Sequence, residues 1–461
     1  MEKKRLTVDM CNGPILPKLL RLVLPMMLSA VLQLLFHAAD IIVVGNFGSA
    51  NAVAAVGSTG SLVNLLTNLF LGLSISTNVL TAQFIGARND NGISKTIHNA
   101  IFLSLVSGVL LTTVGVLFAD DFLMLMGSPD DVRSLSATYL RIYFCGMTAM
   151  LIYNFGSSIL RAKGDTKRPL YYLIIAGVIN VLLNLFFVIA LKMDVAGVAL
   201  ATAISQCVSA FLIIRCLIKE SGPFRLKLKK LKPEGKLIRR ILRIGIPASL
   251  EGVVFSLSNV VLQSAVNSFG SITMAGCASA ASIEGFVWVA MNAFSQGALT
   301  FTSQNIGGAK YSRLNRIVIT CCLCSGIAGL FLGTIAYTFG PQLLSIYDPR
   351  PEIIAPGMIR MGCIGRFYFL CGIMDIVGCS IRGMGYSTPP TIVSLLGACG
   401  FRLLWVFTLF QLPAFHTQEF LFLSYPISWI LTFSAHVVCY ICIRRRLPKT
   451  DAPIPVKTAT E

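Results

Sequence analysis

The chain has 461 residues, a mean hydropathy of +0.76, only 13% charged residues and a formal charge of +18. A soluble protein of this length could not cover so much apolar surface, which excludes a string of water-soluble domains. The positive charge does not point to nucleic acid, because 31 of the 38 Lys and Arg fall in alternate segments: 1–21, 84–98, 159–169, 215–243, 305–317, 382–388 and the tail from 444. The intervening loops hold Arg133, Lys192 and Arg350, and the remaining four (Arg141, Arg360, Arg366, Arg402) lie in or beside apolar stretches. The positive-inside rule then places both termini in the cytoplasm and requires an even number of spans.

In chain order, the segment up to Pro25 has no small-residue cleavage site after a short apolar core. It reads as a basic lead-in, not a cleaved signal. Apolar helices are predicted over 15–44, 52–80, 96–118, 134–158, 169–191 and 195–217, then 240–267, 273–302, 316–340, 355–380, 389–411 and 420–443. Each can cross about 30 Å of hydrocarbon. Between the two sets lies one composition break, KESGPFRLKLKKLKPEGKLIRRILR, which reads as a solvated basic loop near anionic headgroups. The expected organisation is a six-helix lobe over 1–218, a linker over 219–239, a second six-helix lobe over 240–443 and a tail over 444–461. The 14 cysteines lie mostly in apolar segments. Neither the Cys321, Cys322, Cys324 cluster nor Cys439-x-x-Cys442 has polar partners nearby in sequence, so packing is expected rather than metal or redox chemistry.

The halves repeat. PMMLSAVLQLLFHAADIIVVGNFGS (25–49) aligns with PASLEGVVFSLSNVVLQSAVNSFGS (247–271) at a shift of 222. TAQFIGARN (81–89) meets TSQNIGGAK (302–310) at 221, and RAKGDTKRP (161–169) meets RGMGYSTPP (382–390) at the same shift. Six spans per half give both halves the same orientation, a parallel repeat about an axis along the membrane normal. The expected fold class is therefore all-α integral membrane: twelve transmembrane helices in two six-helix lobes related by a pseudo-two-fold axis. Such a frame suits a transporter that alternates access by rocking its lobes.

These motifs resemble the multidrug and toxic compound extrusion (MATE) family, and within it the bacterial DinF-like branch. The resemblance rests on Pro25 with Asp40 downstream, Gln83-x-x-Gly86-Ala87 closing the second helix, the R-x-x-G-D-T turn after the fourth, and their counterparts SQNIGG (303–308) and SIRGMGYSTPP (380–390). It covers essentially the whole chain. It implies a multi-pass protein of the bacterial inner membrane, acting as a monomer, that exports small organic and often cationic compounds against inward H⁺ or Na⁺, with no other cofactor.

Ionisable groups inside a membrane are costly and default to function. Of the twenty acids, only Asp40, Glu251, Glu284 and Asp375 fall within predicted helices. Asp40, in an apolar run of the first helix, is the candidate to take up an ion. Asn180 and Asn184 share a face of the fifth helix, and Thr202 lies on the sixth. The resemblance groups Asp40, Asn180, Asn184 and Thr202 as a cation-coupling site. It also notes that relatives often carry an acid where this chain has Asn184. One carboxylate suffices for H⁺, while amide and hydroxyl oxygens suit Na⁺. Glu251, one turn past Pro247, is expected to gate, couple or pair with linker cations. Glu284 is expected to face a substrate cavity, and Asp375 either to do so or to pair with Arg366 or Arg402. Phe36, Met147, Tyr153, Phe255, Trp288, Met291 and Phe294 are candidates for a soft cavity lining. His37 is expected to pack or bond between helices, and Gly329-x-x-x-Gly333 to pack helices closely.

A flippase for a lipid-linked or other amphipathic substrate is the alternative. Such proteins need a conspicuously cationic cavity, and here intramembrane Arg are few. No H-E-x-x-H, G-x-S-x-G or Walker pattern supports an enzyme or an ATP-driven pump, and no filter-like segment supports a channel.

Overall fold

The computed structural model describes residues 8–49, 52–126 and 130–451; the start of the basic lead-in and residues 452–461 of the tail lie outside them. Among the described residues all regular structure is helical. Eleven helices are long and apolar enough to cross a membrane, and one bent pair completes twelve. The first half comprises α1 (Ile15–Phe47), α2 (Ala52–Gly86), α3 (Asp90–Leu117), the short α4 (Ala119–Leu125), the bent pair α5 (Asp130–Cys145) and α6 (Met147–Ala162), α7 (Lys167–Leu185) and α8 (Asp194–Lys219). The second comprises α9 (Gly235–Asn267), α10 (Ser271–Gly307), α11 (Leu314–Thr338), the short α12 (Gly340–Ser345), α13 (Pro351–Cys363), α14 (Tyr368–Gly383), α15 (Thr388–Ser394), α16 (Phe401–Phe407) and α17 (Gln418–Arg446).

Several spans depart from the predicted ends. α2 and α10 continue past residues 80 and 302 to Gly86 and Gly307, because hydropathy marks where lipid ends, not where helical hydrogen bonding ends. The fourth span is two helices at 45° with Gly146 between them. Its counterpart, α13 and α14, is divided by a 3₁₀ turn at Gly365–Phe367. A shift of 221 carries Gly146 onto Phe367, so the break is part of the repeat. Both breaks accept a close neighbour. A methyl group at Gly146 would lie 2.9 Å from Ala203 Cα, and one at Gly333 would lie 2.5 Å from the Gly365 carbonyl. Gly329 is equally crowded, 2.9 Å from Phe369 Cα, so Gly329 and Gly333 are the close-packing stripe of α11.

The helix ends repeat in finer detail. Arg88 and Ala309, 221 apart, both take a left-handed φ, of 52° and 53°. Gly164 and Gly385 do the same at 86° and 95°. Each closes a helix by a Schellman turn, in which the next N–H reaches back to a carbonyl of the last turn. These bonds run from Asn89 to Phe84, Lys310 to Asn305, Asp165 to Leu160 and Tyr386 to Ile381.

By compactness the chain forms two units, Met1–Val8 with Leu28–Ser249, and Asp9–Met27 with Leu250–Glu461. In the first, Val43, Val44, Val56, Val195 and Val198 pack one core cluster and Leu62, Leu111, Phe144 and Met147 another. In the second, Leu262, Met374, Phe410, Phe422 and Trp429 form an aromatic-rich cluster.

The basic linker is not a free loop. His98 Nε2 accepts the Lys227 N–H at 3.0 Å, Asn99 accepts the Glu234 N–H at 2.8 Å, and Lys95 pairs with Glu234 at 3.0 Å. The polar start of α3 therefore anchors it within the first unit. The R-A-K-G-D-T-K-R turn is a brace. Asp165 is fully buried against Arg168, which also reaches Glu220, and Lys163 binds Glu220 at 2.7 Å.

Candidate functional site

Asp40 lies fifteen residues beyond Pro25 on α1, and two contacts bring it against α7 and α8. The Phe36 ring, one turn earlier, occupies the space over Gly177 so closely that a methyl group there would stand 1.9 Å from Phe36 Cε2. Gly177, Asn180 and Asn184 share one face of α7, so this approach presents both amides to Asp40. The C-terminal end of α1 is tied to the start of α8, with Ser49 Oγ 2.6 Å and Ser49 N–H 3.0 Å from the Asp194 carboxylate. A π-helical turn, Phe186–Ala190, begins two residues after Asn184.

Asp40, Asn180 and Asn184 are all buried. The Asn184 amide N–H₂ donates to Asp40 Oδ1 and, at 3.3 Å, to Asn180 Oδ1. Asn180 in turn donates to Thr202 Oγ1 at 3.2 Å. The four residues named from the sequence thus form one continuous chain of bonds. Asn184 Oδ1 is buried and accepts no hydrogen bond from the described residues. The cluster offers oxygen ligands of the hard kind and one carboxylate. Among the described residues no group of three or more His, Cys, Asp or Glu could hold a metal ion.

Asp40 opens on a cavity of about 480 Å³ within the first unit, walled by α1, α2, α5, α6, α7 and α8. Phe36, His37 and Tyr153 line it, and the Tyr153 hydroxyl is held by the Pro169 carbonyl at 3.0 Å. Asp40 is the one acid among the described lining residues. Sequence reading missed Gln33, Asn64, Tyr139, Tyr143, Asn154 and Gln206, which also face this space. The helical period could have found two sets of them. Gln33, Phe36, His37 and Asp40 fall on one face of α1, and Tyr139 and Tyr143 are four apart on α5 with rings stacked at 5.7 Å.

The other candidates lie elsewhere. Met147 is buried in the core cluster with Phe144 and Leu151. In the second unit Met291 is buried against Gly329 and Gly372, Phe294 is buried, Phe255 is half-buried and Trp288 is exposed on its helix. Glu284 is held by Arg360 through a fork, at 2.9 Å from Nη2 and 3.3 Å from Nε. Glu251 pairs with Arg382, not with a linker cation, and accepts the Thr391 hydroxyl at 3.1 Å. The partners expected for Asp375 are engaged otherwise. Arg366 stacks over Tyr337 at 4.9 Å, and Arg402 lies 4.2 Å from the Tyr425 ring centre and binds Ser428 at 2.9 Å. Asp375 itself accepts from Cys379 Sγ at 3.8 Å. All fourteen cysteines are free thiols.

The MatE family model matches twice, over residues 25–186 and 247–408, which are the two copies of the repeat. The chain is 29% identical to the probable multidrug resistance protein YoeA of Bacillus subtilis over 82% of this chain and 83% of that one. It is 26% identical to the probable multidrug resistance protein NorM of Thermotoga maritima over 84% of each. Among solved structures, the outward-facing conformation of a multidrug resistance MATE family transporter superposes with a TM-score of 0.88 at 22% identity, covering 97% of this chain and all of the other. A duplicated six-span helical fold, a twofold family match and relatives named for multidrug resistance that align over more than four fifths of their length make the chain a multi-pass membrane transporter, not an enzyme, and it belongs to the MatE family of multidrug exporters.

Proposed function

We propose that the protein exports small organic, cationic or amphipathic molecules in exchange for a cation taken up at Asp40, by alternating access, as a monomer of a bacterial inner membrane with both termini cytoplasmic. The observation that carries this reading is the bonded cluster of Asp40, Asn184, Asn180 and Thr202 at the wall of the 480 Å³ cavity. An ionised Asp40 attracts a cationic substrate into a space lined by tyrosines and amides. Neutralising Asp40 removes that attraction and releases the substrate.

A proton suits the cluster better than Na⁺. The Asn184 N–H₂ points at the carboxylate, so its positive end already occupies one approach that a metal ion would take. Na⁺ would also require the amide to turn its oxygen inward, and only one formal negative charge would face it. A proton needs neither change.

The test is transport in proteoliposomes. Efflux of ethidium is followed under an imposed pH gradient and then under a Na⁺ gradient. The pH gradient is expected to drive efflux and Asp40→Asn to abolish it, with the variant still folded by thermal melting. Wild-type transport by Asp40→Asn removes Asp40 from the mechanism. Failure of both gradients over a panel of organic cations would favour an amphipathic, flipped substrate.

A further inference from the structure

We propose that the second unit carries a binding groove for one anionic diacyl phospholipid, formed by α11, α14 and α17 and headed by Arg444 and Arg445. The groove has a volume of about 520 Å³ and its wall is nearly all hydrocarbon: Val318, Ile319 and Leu323 of α11, Ile373 and Val377 of α14, and Phe433, Val437 and Ile441 of α17. Ile319, Leu323 and Ile441 are exposed along it. Its polar groups gather at one end, where Tyr440 donates to Asn315 Oδ1 at 2.9 Å and the two arginines stand.

Length and charge together select the occupant. From Phe433 to Arg445 α17 rises about 18 Å at 1.5 Å per residue. One leaflet of hydrocarbon is about 15 Å deep. The groove therefore runs from the headgroup level to the bilayer middle, the reach of one acyl chain. At its head, Arg444 donates among the described residues only to neutral carbonyls, those of Tyr311 at 3.0 Å, Pro448 at 2.8 Å and Leu447 at 3.4 Å, and its Nε is buried with no partner among them. Arg445, Arg446 and Arg316 are exposed and form no ion pair among the described residues. The nearby acid, Asp451, is taken by Lys310 at 3.4 Å and by the Ser312 N–H at 3.0 Å. Among the described residues, no acid thus compensates the charge at the head. An anionic phosphodiester answers it, and a zwitterionic headgroup answers it less well. Basic pockets between helices at the membrane surface bind lipid headgroups in this way.

Native mass spectrometry of the purified full chain tests this, with dioleoylphosphatidylglycerol and dioleoylphosphatidylcholine titrated separately. The wild type should retain one phosphatidylglycerol in preference to phosphatidylcholine. Arg445→Gln, whose side chain holds nothing in place, should cut that preference about five-fold, the change that about 1 kcal/mol per arginine gives. Ile319→Trp fills the groove without altering charge and should lower retention of both lipids. Equal retention of the two lipids by the wild type, an unchanged preference in Arg445→Gln, or a stoichiometric dimer that excludes lipid would each overturn the proposal.

Discussion

At the scale of single residues, the cluster around Asp40 turns on one amide and one missing side chain. Asn184 spends its N–H₂ on Asp40 and Asn180. Asn184→Asp would set two carboxyls together, which cannot both ionise easily and so share a proton unless a metal ion joins them. The expected result in proteoliposomes is Na⁺-driven efflux that the wild type does not match. A variant with unchanged ion preference would show that residue 184 does not select the ion. Gly177 is the missing side chain. In Gly177→Ala the added methyl meets the Phe36 ring at 1.9 Å and one helix must yield. A cost of about 1–3 kcal/mol is expected, seen as a lower melting temperature with weaker efflux. Phe36→Leu in the same chain should recover part of both, because it vacates the contested space.

At the scale of elements, the turns that close the helices can be tested apart from the site. Gly164 is left-handed and a Cβ there would stand 2.6 Å from the Val8 backbone N. Gly164→Ala should therefore cost more than the roughly 1 kcal/mol of left-handed strain alone, measured by thermal melting. Beside it, burial raises the Glu220 carboxyl, but Lys163 and Arg168 more than offset this and hold it below its ordinary 4.5. A depressed carboxyl contributes stability at neutral pH that is lost as pH falls below that value. Glu220→Gln should lower the melting temperature at pH 7 and show a smaller further loss between pH 5 and pH 3 (about two units spanning the titration) than the wild type. These elements were largely legible in the sequence. A glycine 221 residues from another glycine, each ending an apolar run, announces a repeated helix cap. What was not legible was pairing across the fold. Glu284 and Arg360 are 76 residues apart, and nothing local in either segment names the other. The bend at Gly146 was hidden for a similar reason, since it depends on how closely Ala203 of another helix approaches. Asn180, Asn184 and Thr202 were named through the family resemblance, whereas the face of α1 that carries Asp40 also carried Gln33 in plain periodicity.

At the scale of the whole molecule, the duplication set the helical frame and left the charges unequal. In the second unit Glu251 and Glu284 are neutralised by Arg382 and Arg360, while Asp40 of the first unit meets an amide instead of a cation. Fixed ion pairs suit a scaffold, and a carboxyl bonded only to neutral groups suits reversible ion uptake. The same frame makes its orientation testable. Twelve spans put every basic segment on one face of the membrane, and the positive-inside rule names that face cytoplasmic. Lys229, in the exposed basic linker, and Tyr347, in the exposed turn after α12, are then expected on opposite faces, since both are exposed and three spans separate them. In a background with the exposed native cysteines replaced, a Lys229→Cys chain should react with an impermeant maleimide only in inside-out vesicles, and a Tyr347→Cys chain only in whole cells or right-side-out vesicles. Labelling of both from one side would mean an even number of spans between them instead of three, and would break the link between the charge pattern and the six-span repeat. Labelling of each from the opposite side to that expected would keep the repeat and invert the protein, so that Asp40 would have to work in import rather than export.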